Sequence, residues 1–518
     1  MELENLKTWP WIVALSTGAL SICYVVRQYA GSPRTPLPPG PPSYPIIGQL
    51  LSMPTEHEQF GFQRISQEAK SDIISLNFLG TTIVVLHSAE AATELFDKRA
   101  TTYSNRFAPP MIVSPAGLDL RGMMTLMNPT ELWRKHRKVM HSWLSKQAVV
   151  NFNESQELQA RSLLQRLLAL SGEPGSSELL SLHFTKTMAV TMLDSIYGCG
   201  RQPTGDFIGN AATFIDRLAL AFQPSSFLVN IIPWLQYVPE WLPGTGWKQI
   251  ARGWRVHKEQ TFNGIYKWTK QRVVDGIDDY SIIASTLHEI KSWGWGDEAV
   301  DDFAKHLGMV LYMGGTDTSV SALVTFVLVM VRFPEIQARA QQEIDSVTGG
   351  NRLPTMNDRP MLPYIERLIW EILRWQPVSP LGVPHVAAQE DTYRGYRIPK
   401  GTIVFGNLWA MSRDERVYPD PEAFDPERYL DKKVPILPAF GWGSRLCPGI
   451  NLADSALFIM ISTMVAVFNI SGSNNPDGTR VIPSTEPNSS GLVYHPKPFK
   501  CALSPRSELY AELIRNGV

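Results

Sequence analysis

The chain has 518 residues, 44% hydrophobic and 19% charged, with a formal net charge of −1. That balance argues against nucleic acid as the main partner, and the length is ample for a large buried core. The four cysteines, Cys23, Cys199, Cys447 and Cys501, are scattered without disulfide or zinc spacing, so the catalytic portion is expected to face a reducing compartment.

From Thr8 to Val26 no residue is charged, and Trp9 and Trp11 stand near its start. Nineteen helical residues cover about 30 Å, the thickness of a hydrocarbon core. Glu2 and Glu4 precede the stretch and Arg27 and Arg34 follow it, a pattern unlike a cleavable signal and consistent with a retained anchor whose downstream body is cytosolic. Residues 1–30 are therefore predicted to be a single transmembrane anchor. Residues 31–45, with Pro36-Leu37-Pro38-Pro39-Gly40-Pro41-Pro42, are predicted to be a stiff polyproline hinge, and residues 46–518 the globular body.

Residues 72–78 and 81–87 alternate as two strands around Leu79-Gly80, and Ser88 starts a helix by its capping pattern. Trp133-Arg134-Lys135-His136-Arg137-Lys138 reads as a basic helical segment in which Trp133 and Arg137 share a face. The apolar stretch 207–242 is broken by Pro224, Pro233 and Pro239, so it cannot be one membrane span. It is either ordinary core or a lid that meets a bilayer surface. Residues 297–333 form a long helical pattern containing Gly314-Gly315-Thr316-Asp317-Thr318-Ser319. Each internal glycine costs about 1 kcal/mol relative to alanine. Two such residues predict either a distorted helix that admits a flat ligand or a helix-packing notch. Asp317 and Thr318 put an acid beside a hydroxyl, a pair suited to relaying protons. Further strand-rich patches are expected near 392–405 and 491–503, so the body reads as mainly α with small β-sheets.

Phe440-Gly441-Trp442-Gly443-Ser444-Arg445-Leu446-Cys447-Pro448-Gly449 runs into an apolar helix starting at Ile450. A cysteine there meets the helix's free N–H groups and its positive dipole end, both of which favour a thiolate. Pro448 would suit the helix's first turn. A single soft anionic ligand fits a metal whose other donors come from a macrocycle, and Arg445 offers a partner for an acidic group on that macrocycle. Zinc would need further ligands that the segment lacks. Haem meets these requirements.

Phe440, Gly443, Arg445, Cys447 and Gly449 match the Phe-x-x-Gly-x-Arg-x-Cys-x-Gly signature, and by it the chain resembles the cytochrome P450 family of haem-thiolate monooxygenases. The proline segment is similar to that of microsomal members, and the overall motif style to fungal members of secondary metabolism and xenobiotic oxidation. The resemblance implies one P450 fold behind an N-terminal transmembrane helix, with haem b ligated axially by Cys447. It implies that Trp133, Arg137, His385 and Arg445 bind the haem propionates, His385 standing where arginine is common. Asp317 and Thr318 would be the catalytic relay, and Glu371, Arg374 and Arg428 a buried structural network.

No Gly-x-Gly-x-x-Gly loop stands at a strand–helix junction, so NADPH would act through a separate flavoprotein reductase docked on Arg134, Lys135 and Lys138. The implied location is the endoplasmic reticulum membrane with the body in the cytosol. The implied substrate is a lipophilic terpenoid, polyketide or aromatic compound. Two other readings stay open: a haem-thiolate isomerase or dehydratase, and a non-catalytic membrane haem sensor.

Overall fold

The computed structural model describes residues 35–171, 175–199, 206–223, 226–277, 281–475, 477–488 and 490–516. The predicted anchor at 8–26 lies outside these residues. The chain divides into two units, 1–105 with 384–407, and 106–383 with 408–518.

In the smaller unit, β1 (Ile73–Phe78) and β2 (Thr81–Leu86) pair antiparallel from Ile73↔Leu86 to Phe78↔Thr81. Leu79 and Gly80 both take positive φ, 48° and 85°, which matches the twist of a two-residue hairpin. Strand β3 is His385–Val386, β4 (Asp391–Tyr393) pairs with β5 (Tyr396–Ile398), and β6 is Ile403–Gly406. Strand β6 lies parallel to β2 and antiparallel to β3, so the sheet runs β1-β2-β6-β3. Ser88 caps the following helix by accepting from Ala91 N at 3.2 Å.

The proline segment lies along this unit instead of standing off it as a spacer. Pro39 O accepts from Ser75 N at 2.9 Å and Pro36 O from Arg397 N at 2.7 Å. Pro38 O accepts from Ser75 Oγ at 2.5 Å. A β-carbon on Gly40 would lie 2.0 Å from Ser75 O, so only glycine permits the approach. Proline lacks an N–H but keeps its carbonyl, and here the carbonyls are the docking groups.

The larger unit is helical. Its elements near the site are α1 (Glu131–Leu144), α2 (Ser177–Tyr197), α3 (Phe207–Phe222), α4 (Asp297–Arg332), α5 (Pro363–Trp375) and α6 (Ile450–Val467). Both α4 and α6 are long and apolar enough to cross a membrane, yet 78% of each apolar window is buried in protein. Helices apolar on every face are core helices when other helices surround them. Strands β7 (Phe468–Gly472) and β8 (Lys500–Pro505) pair antiparallel beside the short strand Gly175–Ser176. The second predicted strand patch therefore begins only at Lys500, since 491–499 is irregular apart from a bridge at Pro496.

Helix α4 runs as one helix through both glycines. The two glycines divide the work. A β-carbon on Gly315 would sit 2.3 Å from Met192 Sδ, and one on Gly308, seven residues earlier, 2.4 Å from Tyr197 Oη. Both partners belong to α2, so Gly308 and Gly315 are packing notches for that helix. A β-carbon on Gly314 meets nothing within 4 Å. Only Gly314 leaves open space over the helix backbone. Because the Tyr197 ring is rigid and buried, Gly308→Ala is expected to destabilise the protein by about 1–3 kcal/mol through overpacking. Urea midpoints of the two proteins measure it.

The apolar stretch 207–242 also divides. Phe207, Phe214 and Leu218 of α3 are buried core, whereas Trp234, Tyr237 and Trp241 are 63%, 81% and 80% exposed.

Candidate active site

Cys447 sits two residues before Gly449, the N-cap of α6, and its N–H donates to Phe440 O at 2.9 Å. Gly441 and Gly443 turn the preceding loop with φ of 86° and 51°. Pro448 falls before the N-cap, two positions ahead of Ile450, the first helical residue. Burial raises the Cys447 thiol pKa, while the Gly449 N–H and the Arg137 charge pull it down without winning. The helix-end stabilisation expected of the bare thiolate is thus outweighed by desolvation. Thiolate character at this sulfur would come with a bound cation, which deprotonates a coordinating thiol outright.

Beside the loop, three guanidinium groups gather. Thr130 caps α1 by accepting from Trp133 N at 3.2 Å, which sets Trp133 and Arg137 on the face toward the Cys447 loop. Arg445 lies over the Trp133 ring at 4.6 Å and Arg137 at 5.9 Å. Arg137 donates to Leu446 O at 2.8 Å, and Arg445 to Met127 O at 2.6 Å. Arg106, which no motif in the sequence singles out, donates to Val383 O at 2.5 Å. Burial and the charge of Arg445 lower its pKa to about 9. Burial and the charge of Arg137 lower that of Arg445 to about 10. Both remain cations at neutral pH. Trp133 Nε1 is buried and has no hydrogen-bond partner among the described residues.

A buried indole donor beside mutually repelling cations fits a dianionic edge, and a free sulfur beside it fits a metal. The residues present therefore fit haem, with its two propionates on the arginines and its iron on Cys447. His385 belongs to the smaller unit. Its Nδ1 is 2.6 Å from Tyr103 O and its ring stacks on Phe96 at 4.0 Å.

On α4, Thr318 Oγ1 donates to Gly314 O at 2.6 Å, which holds the hydroxyl next to the open backbone position. Asp317 Oδ1 is 3.2 Å from His495 Nε2, a partner that sequence reasoning did not supply.

Glu371 and Arg374 of α5 are fully buried, and Arg428 nearly so. Arg374 donates from Nε and Nη2 to the two carboxylate oxygens at 2.8 and 2.7 Å, and Arg428 Nε adds a bond at 3.0 Å. Arg374 Nη1 then reaches Ser412 O and Pro421 O, and Arg428 Nη1 reaches Pro419 O. An irregular buried segment needs donors for its carbonyls, and these forks provide them.

The basic face of α1 is smaller than the sequence implied. Arg134 and Lys138 are exposed, but Lys135 Nζ lies 4.4 Å from the Trp295 ring and 5.2 Å from Trp293, with Glu131 at 3.3 Å.

The family model for cytochrome P450 matches residues 38–503. The chain belongs to the cytochrome P450 family. It is 35% identical over 508 residues to cytochrome P450 monooxygenase 98 of Postia placenta, covering 96% of each chain. It is 36% identical over 523 residues to cytochrome P450 monooxygenase claR of Ampulloclitocybe clavipes, covering 99% of this chain and 94% of that one. Over 510 residues it is 33% identical to a tryptamine 4-monooxygenase of Psilocybe cyanescens, with 96% and 98% coverage. The protein is thus a haem-thiolate monooxygenase with the mainly helical P450 fold and its small sheets.

Proposed function

We propose that this enzyme inserts one oxygen atom from dioxygen into a lipophilic small molecule, a terpenoid, polyketide or aromatic of secondary metabolism or a foreign compound, using electrons from NADPH through a separate reductase. The observation that carries the reading is the Cys447 loop with Arg137 and Arg445 over the Trp133 ring and Arg106 within the field of Arg445. Those three arginines and the Trp133 N–H would hold the propionates, and Cys447 the iron. Bound there, haem supplies the activation of dioxygen, with a thiolate favouring O–O cleavage and the second oxygen atom leaving as water.

The chain's own part is positional. Gly314 keeps the α4 backbone uncovered, Thr318 holds a hydroxyl beside it, and Asp317 supplies a carboxylate to move protons to that hydroxyl. An isomerase or a haem sensor has no need of such a pair, which favours the monooxygenase. Apolar side chains such as Met111, Ile112, Met123 and Val310 are buried in the stretches that would line a substrate pocket. Exposed Trp234, Tyr237 and Trp241 suit contact with a bilayer, in keeping with an N-terminal anchor in the endoplasmic reticulum and a cytosolic body. Arg134 and Lys138 would form part of the reductase-docking surface.

The test is turnover of a lipophilic panel in reductase-containing microsomes with product mass analysis. The tryptamine 4-monooxygenase among the relatives brings aromatic amines into that panel. Thr318→Ala is expected to lower product per NADPH by about tenfold or more, with peroxide released instead. Unchanged yield without extra peroxide would remove the relay assignment.

A further inference from the structure

The carboxylate of Asp317 has a partner brought from the far end of the chain. His495 Nε2 lies 3.2 Å from Asp317 Oδ1, and the two side chains are 33% and 31% exposed. The pairing is held in register by a second contact one residue away. Ser321, one helical turn beyond Asp317 on the same face of α4, donates from Oγ to Tyr494 O. Tyr494 N in turn donates to Val378 O at 2.8 Å, and Asn488 N to His495 O at 2.8 Å. The His495 backbone is therefore fixed on both sides, and the imidazole meets Asp317 by construction.

A second carboxylate joins from α3. Asp216 is exposed, and its pKa is raised by burial of part of the group and by the charge of Asp317, while His495 opposes the rise. Asp216 thus lies within the field of Asp317 and His495. On its own segment the nearest charges are Glu486 and Lys497, which pair with each other at 2.5 Å, and Arg332 and Arg413 face the preceding Tyr494 ring.

We propose that His495 is a positioning residue for the relay: it orients the Asp317 carboxylate and replenishes its proton from solvent. The inference rests on the relay reading of Asp317 and Thr318. Asp317 in its acid form passes its proton toward Thr318 Oγ1, and the carboxylate left behind then takes the proton on Nε2 of the imidazolium. The neutral ring then takes another from water, so no electrons move and the cycle closes.

The experiment is a double-mutant cycle on the full-length holoenzyme with His495→Ala, Asp317→Asn and the pair, read first by thermal unfolding. Non-additive Tm shifts are expected, because either substitution alone already removes the contact between Asp317 and His495. The second readout is peroxide released per NADPH, expected to rise several-fold in His495→Ala. His495→Gln, which keeps a donor of similar reach but does not titrate, is expected to leak peroxide too. Additive Tm shifts would overturn the contact. A non-additive cycle with peroxide unchanged in both His495 variants would overturn proton supply. If Thr318→Ala uncouples while the His495 variants do not, the relay stands without this partner; if Thr318→Ala is itself silent, the relay reading has failed first.

Discussion

In Cys447→Ser, purified protein is expected to show no thiolate-type band in the carbon monoxide difference spectrum of the reduced sample, and no product from any substrate of the wild type. The reason lies in the site's asymmetry. Arg106, Arg137, Arg445 and the Trp133 N–H offer donors to an acidic edge, but none of them can donate an electron pair to a metal. Sulfur at position 447 does so alone, since no cluster of three or more His, Cys, Asp or Glu suited to a metal occurs among the described residues. The fold itself should survive, because a hydroxyl replaces a half-buried thiol at a loop whose N–H bond to Phe440 O is made by the backbone. Far-ultraviolet circular dichroism close to wild type, with the characteristic band missing, is the expected pair of results. A normal band in Cys447→Ser would remove this cysteine from the metal.

The second large effect is expected at the Glu371 network. Glu371→Gln leaves the guanidinium groups of Arg374 and Arg428 buried together without the carboxylate that both now share. Breaking a buried pair in this way costs about 3–5 kcal/mol. A domain's whole stability is only about 5–15 kcal/mol, so the variant should be mostly unfolded or degraded in cells. Arg374→Lys should fare little better. Lysine keeps the charge, but its compact ammonium cannot span Glu371, Ser412 O and Pro421 O together. The check is the urea midpoint together with the yield of haem-loaded protein. A wild-type midpoint in Glu371→Gln would show that the carboxylate does not brace the segment from 412 to 428.

Much of the site was legible because its motifs are local. The turn at Gly441 and Gly443, the cysteine and the apolar helix follow one another within a few residues, and covalent connection brings them together in any fold that keeps them. The shared face of Trp133 and Arg137 follows from helical spacing alone. The glycine pair was legible as an anomaly but not as an explanation. Gly315 answers to Met192 and Gly314 to open space, and which does which depends on the side of α4 that α2 covers. Lys135 was assigned to the docking face by composition, yet Trp293 and Trp295 take it up from a distant part of the chain. Arg106 carried no sequence signal at all, because a lone arginine in an irregular stretch gains meaning only from Arg445 beside it.

By itself the sequence determined the ligand sulfur, the acid–hydroxyl pair, the mainly helical class and the family, since each depends on residue chemistry at short, fixed spacing. Tertiary structure alone decided that the proline segment docks through its carbonyls, that α4 runs unbroken, and that Asp317 faces His495. Those outcomes join residues tens to hundreds of positions apart. Which distant partner arrives is set by how buried helices interlock, and linear spacing carries no record of that.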